Sequence, residues 1–173
     1  MGEEYLLVDG YNIIFAWDKL AKIAEDISLE ASRDKLTAIM SNYAGLKKVS
    51  VIVVFDAHMV KGGFEKIEKR ANISVVYTKE AETADNFIER TAGYLAKYSK
   101  VSVATSDNLE QIIIIGKGAV RVTAKSLIEM IDTANAEMRK LYTEKIPIKK
   151  NMLYDHLDEK TAAMLEKMRR GRF

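Results

Sequence analysis

Val49-Ser50-Val51-Ile52-Val53-Val54-Phe55, running straight into Asp56, is the stretch on which the fold turns. β-Branched residues dominate it, so it reads as a strand. Its apolar character does not alternate, as it would in a sheet with one wet face, so both faces of this strand are covered, as in the centre of a parallel sheet. Working outward, Tyr5–Asp9, Ile73–Tyr77 and Val101–Thr105 have the same character, and Ala119–Thr123 carries a weaker version of it. Segments of helical period lie between them. Ser28 is placed to cap a helix running to about Tyr43, with Ala31, Leu36, Ile39 and Met40 inward and Gly45 ending it. Thr83 is placed to cap Ala84–Lys97, with Phe87, Ile88, Thr91 and Leu95 on one side. A further helix is predicted from Ala124 to about Tyr142, and Met152–Arg169 repeats apolar residues at helical spacing beyond Pro147. Strand-helix-strand alternation predicts an α/β fold: a mainly parallel sheet flanked by helices on both faces, with right-handed crossovers and a basic C-terminal helix.

In such sheets the working crevice lies beyond the carboxyl ends of the strands. Those positions are acidic. The first strand ends in Asp9, the second runs into Asp56, the fourth into Thr105-Ser106-Asp107, and Asp85 opens the helix after the third. Carboxylates brought together repel one another unless a cation neutralises them, and Mg²⁺ or Mn²⁺ prefers such oxygen ligands. Each acid also has a plainer reading. An Asp after a strand is as readily a turn former or helix cap, and Thr105-Ser106-Asp107-Asn108 doubles as a cap for a helix carrying Leu109–Ile115. Asn12, three residues after Asp9 across a Gly10-Tyr11 turn, is placed either to orient a carboxylate or water, or simply to make the turn. His58 offers a general base, or a loop hydrogen bond.

Cations that could meet phosphate lie in the loop after the second strand, Lys61-Gly62-Gly63, downstream of it at Lys66, Lys69 and Arg70, and at Arg121. Arg121 reads equally well as an exposed strand-edge residue. The loop lacks P-loop spacing, so no nucleotide cofactor is expected. The 173 residues carry a net charge of only +2. From Arg139 onward, however, ten Lys/Arg face five Asp/Glu, a net +5 that leaves −3 for residues 1–138. An acidic body with a basic tail is the pattern of a cation-requiring site joined to a phosphate-binding segment, or of a solvated basic helix. Cysteine is absent, which removes thiolate metal sites, disulfides and a cysteine nucleophile. No apolar run reaches the roughly 20 residues needed to cross a membrane, and Met1-Gly2-Glu3-Glu4 is acidic where an export signal would be basic. A cytoplasmic protein without membrane attachment is the expectation.

Four motifs taken in order carry a resemblance: Leu7-Val8-Asp9-Gly10-Tyr11-Asn12; Val54-Phe55-Asp56-Ala57-His58 with Val60-Lys61-Gly62; Thr78-Lys79-Glu80 through Glu82-Thr83-Ala84-Asp85; and Ala104-Thr105-Ser106-Asp107. Over about Tyr5 to Leu141 the chain resembles the YacP-like NYN-domain proteins of bacteria. The resemblance implies a PIN-like nuclease fold with a divalent-metal acidic site, and an endoribonuclease linked to messenger RNA cleavage at the ribosome. By position it implies a catalytic set of Asp9, Asn12, Asp85 and Asp107, with Asp9, Asp85 and Asp107 on the metal and Asp56 and Ser106 assisting. It divides the chain into a nuclease domain, 1–144, and a basic helical extension, 145–173. The loop Gly62-Gly63-Phe64-Glu65-Lys66 departs from the family, and the tail beyond Thr143 matches only in basic, helical character.

The leading reading is thus a metal-dependent endoribonuclease. Its rival is a non-catalytic RNA- or ribosome-binding module of the same fold. A phosphatase also uses strand-end aspartates, but neither strand-end Asp here heads an Asp-x-Asp nucleophile motif.

Overall fold

The computed structural model describes residues 3–56, 66–79, 82–107, 116 and 118–145. The sequence strands become β1 (Glu4–Asp9), β2 (Ser50–Phe55), β4 (Ile73–Tyr77), β5 (Lys100–Ala104) and β6 (Val120–Val122), joined by β3 (Lys66–Arg70). They form one six-stranded sheet in the order β3-β4-β2-β1-β5-β6. Every pairing is parallel except β3 with β4. The uninterrupted apolar stretch is central, paired to β1 on one side and β4 on the other, with Val53, Val54 and Phe55 fully buried.

Among the described residues the helices are α1 (Gly10–Ala16), α2 (Asp18–Asp26), α3 (Leu29–Lys47), α4 (Ala84–Leu95) and α5 (Ala124–Lys145). Side chains alternate along each strand, so the sheet has two separate cores. Leu6, Val8, Val53 and Phe55 pack with Ile13, Ile14, Leu20, Leu36, Met40, Leu127 and Ile131 from α1, α2, α3 and α5. Leu7, Val54 and Val103 pack on the opposite face with Ile88 and Ala92 of α4. Helices on both faces were the expectation, and this is the arrangement found. The chain divides into two compact units, Met1–Ala136 and Glu137–Phe173, and the sheet lies in the first.

Ser28 and Thr83 cap α3 and α4 as their spacing predicted, accepting from the Ala31 and Asn86 amides at 3.0 and 3.3 Å. Three local expectations are corrected. Gly45 does not end α3, which continues to Lys47 and stops at Lys48 in the left-handed conformation, φ 55°. Asn72 Nδ2 would stand 2.9 Å from a Cβ at residue 45, so Gly45 serves close packing within the helix instead. Gly10-Tyr11 is not a free turn but the first turn of α1, with Asp9 as its cap. Finally, Lys66 does not belong to the loop Gly62-Gly63-Phe64-Glu65-Lys66 but opens an edge strand, absent from the sequence reading, that also carries Lys69 and Arg70. Lys66, Glu68 and Arg70 share one face of β3, ion-paired from Lys66 to Glu68 at 2.6 Å and from Glu68 to Arg70 at 2.8 Å. Arg70 reaches on to Asp34 at 2.8 Å. Such a charged edge resists pairing with a second sheet, and it gave no apolar alternation to read.

Candidate active site

The chain runs from β1 through β2 to β4 on one side of the sheet, then returns to place β5 and β6 on the other. Neighbouring strands β1 and β5 therefore flank the switch point, where a crevice opens at their carboxyl ends. Asp9 is the last residue of β1 and Thr105-Ser106-Asp107 follows β5.

Asp9 is 3% exposed. One carboxylate oxygen accepts from the Asn12 backbone N–H at 3.1 Å and the other from Asn12 Nδ2 at 2.9 Å. The helix thus pins both oxygens. Ser106 Oγ donates to Asn12 Oδ1 at 2.6 Å, so the amide is held from both ends. This chain of bonds ties the end of β1 to the end of β5. Behind Ser106, Thr105 is buried and its Oγ1 accepts from the Asp107 backbone N–H at 3.1 Å.

Asp85 enters from α4, in the first turn that Thr83 caps. Its carboxyl meets that of Asp9 in a shared hydrogen bond, and it is repelled by Asp56 and Asp107. Burial, above all, pushes the Asp9 carboxyl up to about 6; the two bonds from Asn12 oppose the rise and Asp85 adds to it. Asp85 is raised as well, first by desolvation and then by Asp107 and Asp56, against the bond to Asp9. Asp85 therefore stands within electrostatic reach of Asp9, Asp56 and Asp107. Among the described residues no three of these four acids already stand as a closed metal cage.

Asp9, Asn12, Asp56 and Asp85 line a cleft of about 400 Å³ together with Tyr11, Phe15, Thr83 and Ala84. A larger hollow, about 700 Å³, follows the outer face of α4 beside Arg90 and Tyr94 and contains none of the predicted site residues. Gly10 sets how closely α1 approaches β2: a Cβ there would lie 2.2 Å from Phe55 Cε1. The Phe55 ring in turn meets Tyr11 edge-on at 5.2 Å and stacks with Tyr77 at 5.8 Å.

The expected phosphate-binding set does not gather here as a group. By register Lys66 pairs with Tyr77 at the crevice end of β4, whereas Arg70 pairs with Ile73 at the opposite end. Arg70 is held there by Asp34 and Glu68, which withdraws it from an RNA-binding role at the crevice. Lys69 lies near that far end too. Arg121 is exposed on the edge strand β6. Lys61 and His58 lie outside the described residues, as do the predicted helices at Leu109–Ile115 and Met152–Arg169. Sequence reasoning passed over two residues at the crevice. Arg33 donates to the Tyr11 hydroxyl at 3.0 Å, and Phe15 lines the cleft. Phe15 had a legible signal, because the Asp-x-x-Asn spacing suits a helix cap and would have placed it on the same helix as Asn12.

The family model described as YacP-like NYN domain matches residues 6–170. The chain is 40% identical over 169 residues to the uncharacterized protein YacP of Bacillus subtilis, a match covering 97% of this chain and 98% of that one. A crystal structure of Rae1 (YacP) from B. subtilis superposes with a TM-score of 0.68 at 42% identity, covering 96% of this chain and 95% of the other. A crystal structure of a single-residue variant of that protein gives 0.69 at 34% identity, with 95% and 99% covered.

Proposed function

This chain belongs to the YacP-like NYN domain family, and from that premise we propose that it is a divalent-metal-dependent endoribonuclease. The NYN domain is a PIN-like nuclease fold, so the general class is an RNA-directed nuclease. The observation that carries the finer reading is the bonded chain Asp9–Asn12–Ser106 across the switch point, with Asp85 against Asp9.

The donor set suits Mg²⁺ or Mn²⁺. It is made of oxygens, it is negative, and Asp9 and Asp85 hold protons more tightly than free carboxyls, above all because burial disfavours their charged forms. An ion that keeps several waters and takes only one or two carboxylates does not require a closed cage. Asp9 and Asp85 are the first residues to hold it, with Asp107 joining from β5. When bound, the ion polarises a phosphoryl oxygen and readies water for attack. The protein's own part is positional. Asn12 fixes both Asp9 oxygens, Ser106 fixes Asn12, and Asp56 sets the charge on the β2 side of the cleft. Hydrolysis by water needs no protein nucleophile and leaves a 3′-hydroxyl and a 5′-phosphate.

Messenger RNA at the ribosome is the substrate class we assign, supported by the resemblance to the YacP-like branch and by the net +5 from Arg139 onward. A cytoplasmic setting follows from that substrate. Among the described residues no helix is long and apolar enough to cross a membrane.

The deciding experiment compares Asp9→Asn and Asp85→Asn with wild type on single-stranded RNA in Mg²⁺ or Mn²⁺, each variant checked as folded. Both should cut far more slowly; wild-type rates from either would sink the proposal. The net +5 from Arg139 onward also suits one rival, a docking module that binds RNA or the ribosome without cutting. Deleting residues 145–173 separates them, since a nuclease retains cleavage of naked RNA and a docking module has none to retain.

A further inference from the structure

Among the described residues lining the cleft the charged ones are Asp9, Asp56 and Asp85, so the cleft lining itself offers an RNA backbone no attraction until a cation is present. A substrate strand needs a contact that does not depend on phosphate. Stacking of a base on an aromatic ring is such a contact, and it tolerates any sequence because every base has a π-face.

Among the aromatic residues lining the cleft, Tyr11 is 7% exposed and Phe15 is 55% exposed. An exposed Phe alone is unremarkable. This one occupies the same cleft as Asp9, Asp56 and Asp85. Its ring stacks on Tyr11, with centroids 6.3 Å apart and planes 22° from parallel. Tyr11 is itself immobilised, edge-on against the fully buried Phe55 and hydrogen-bonded through its hydroxyl to Arg33. Phe15 is therefore a rigidly backed ring with an open surface. It is also locked in position relative to the acids, because Asp9 caps the helix on which Phe15 lies. Six residues separate them, about 9 Å along the helix axis.

We propose that Phe15 is a stacking platform for a nucleobase of the RNA strand, holding an unpaired nucleotide beside the phosphate that enters the acidic cleft. This rests on the nuclease reading and deepens it, since a base engaged in duplex stacking cannot also cover Phe15. The platform makes the protein selective for single-stranded RNA, and Phe15 is a positioning residue.

The test measures binding without cleavage, by fluorescence anisotropy of labelled single-stranded RNA in EDTA, for wild type, Phe15→Ala and Phe15→Trp. Because Phe15 is largely exposed, the variants should unfold like wild type. Phe15→Ala should bind about 5- to 150-fold more weakly, the range for loss of one stacked base. Phe15→Trp should retain affinity and show indole quenching on RNA addition beyond any change in the wild-type signal. An RNA with an abasic position at the stacked nucleotide should bind wild type and Phe15→Ala alike. Equal affinity of Phe15→Ala and wild type for intact RNA overturns the platform, as does equal binding of duplex and single strand by wild type. The two readings fail separately. If wild type cuts RNA in Mn²⁺ while Phe15→Ala binds unchanged, only the platform falls. If wild type does not cut but the Phe15 dependence holds, the nuclease reading falls and the platform stands.

Discussion

Replacing Asp9 by Asn should make the metal-free protein more stable at neutral pH while removing its activity. Asp9 is 3% exposed, and its carboxyl is raised from 3.8 to about 6. Between those values the folded protein binds a proton that the unfolded chain does not, so stability falls as pH rises through the window. At about 1.36 kcal/mol per pKa unit, ionised Asp9 costs about 3 kcal/mol near pH 7.5, and only about 1 kcal/mol near pH 4.5. Asn removes that penalty. It caps helices as well as Asp does, so the bond from the Asn12 N–H survives. The second bond requires the Asn12 amide to turn over, with Ser106 then accepting instead of donating, at a cost of about 1 kcal/mol. The net gain near pH 7.5 is about 2 kcal/mol, equivalent to about 4–8 °C in Tm for a chain of this size. Near pH 4.5 the variant should have no advantage. Urea unfolding of both proteins in EDTA at the two pH values measures this directly. A variant less stable than wild type near pH 7.5, or one whose offset is the same at both pH values, would refute the argument that burial disfavours the ionised carboxylate at this position.

Gly10→Ala drives a methyl group into the Phe55 ring, where only 2.2 Å is available, and should destabilise by about 2–3 kcal/mol despite the better helix propensity of Ala; an unchanged urea midpoint would show that the close approach does not exist. Ser106→Ala frees one end of the Asn12 amide at an exposed position, so stability should change by less than about 1 kcal/mol while cleavage falls roughly tenfold, with Ser106→Thr restoring it. Arg70→Ala should leave RNA affinity unchanged, because Arg70 is paired with Asp34 and Glu68 at the far end of the sheet; a salt-dependent loss of RNA binding would contradict that placement.

Much of the framework was legible. Unbroken β-branched strands, and caps at Ser28 and Thr83, are local signals that survive into the folded protein because burial and capping reward the same residues that carry them. What escaped has a common cause. The strand β3 is held by ion pairs and by its neighbour β4, so its sequence shows no apolar period. The helix α1 has a glycine in its first turn, which reads as a turn until the Phe55 ring that requires it is in view. Gly45 misled for the same reason, its lack of a side chain answering Asn72 from elsewhere in the chain.

The sequence by itself determined that acids follow the ends of buried strands and that Asn12 stands three residues after Asp9, because strand ends and short spacings are local properties. Only the tertiary structure decided that Ser106, 94 positions from Asn12, completes a bonded bridge to Asp9, that Asp85 shares a hydrogen bond with it, and that Arg70 lies at the opposite end of its strand pair from the crevice. The physical reason is the crossover that sets β5 beside β1. Chain distance says nothing about which strand ends become neighbours; sheet order does, and it turns a helix-capping aspartate into one wall of a cleft.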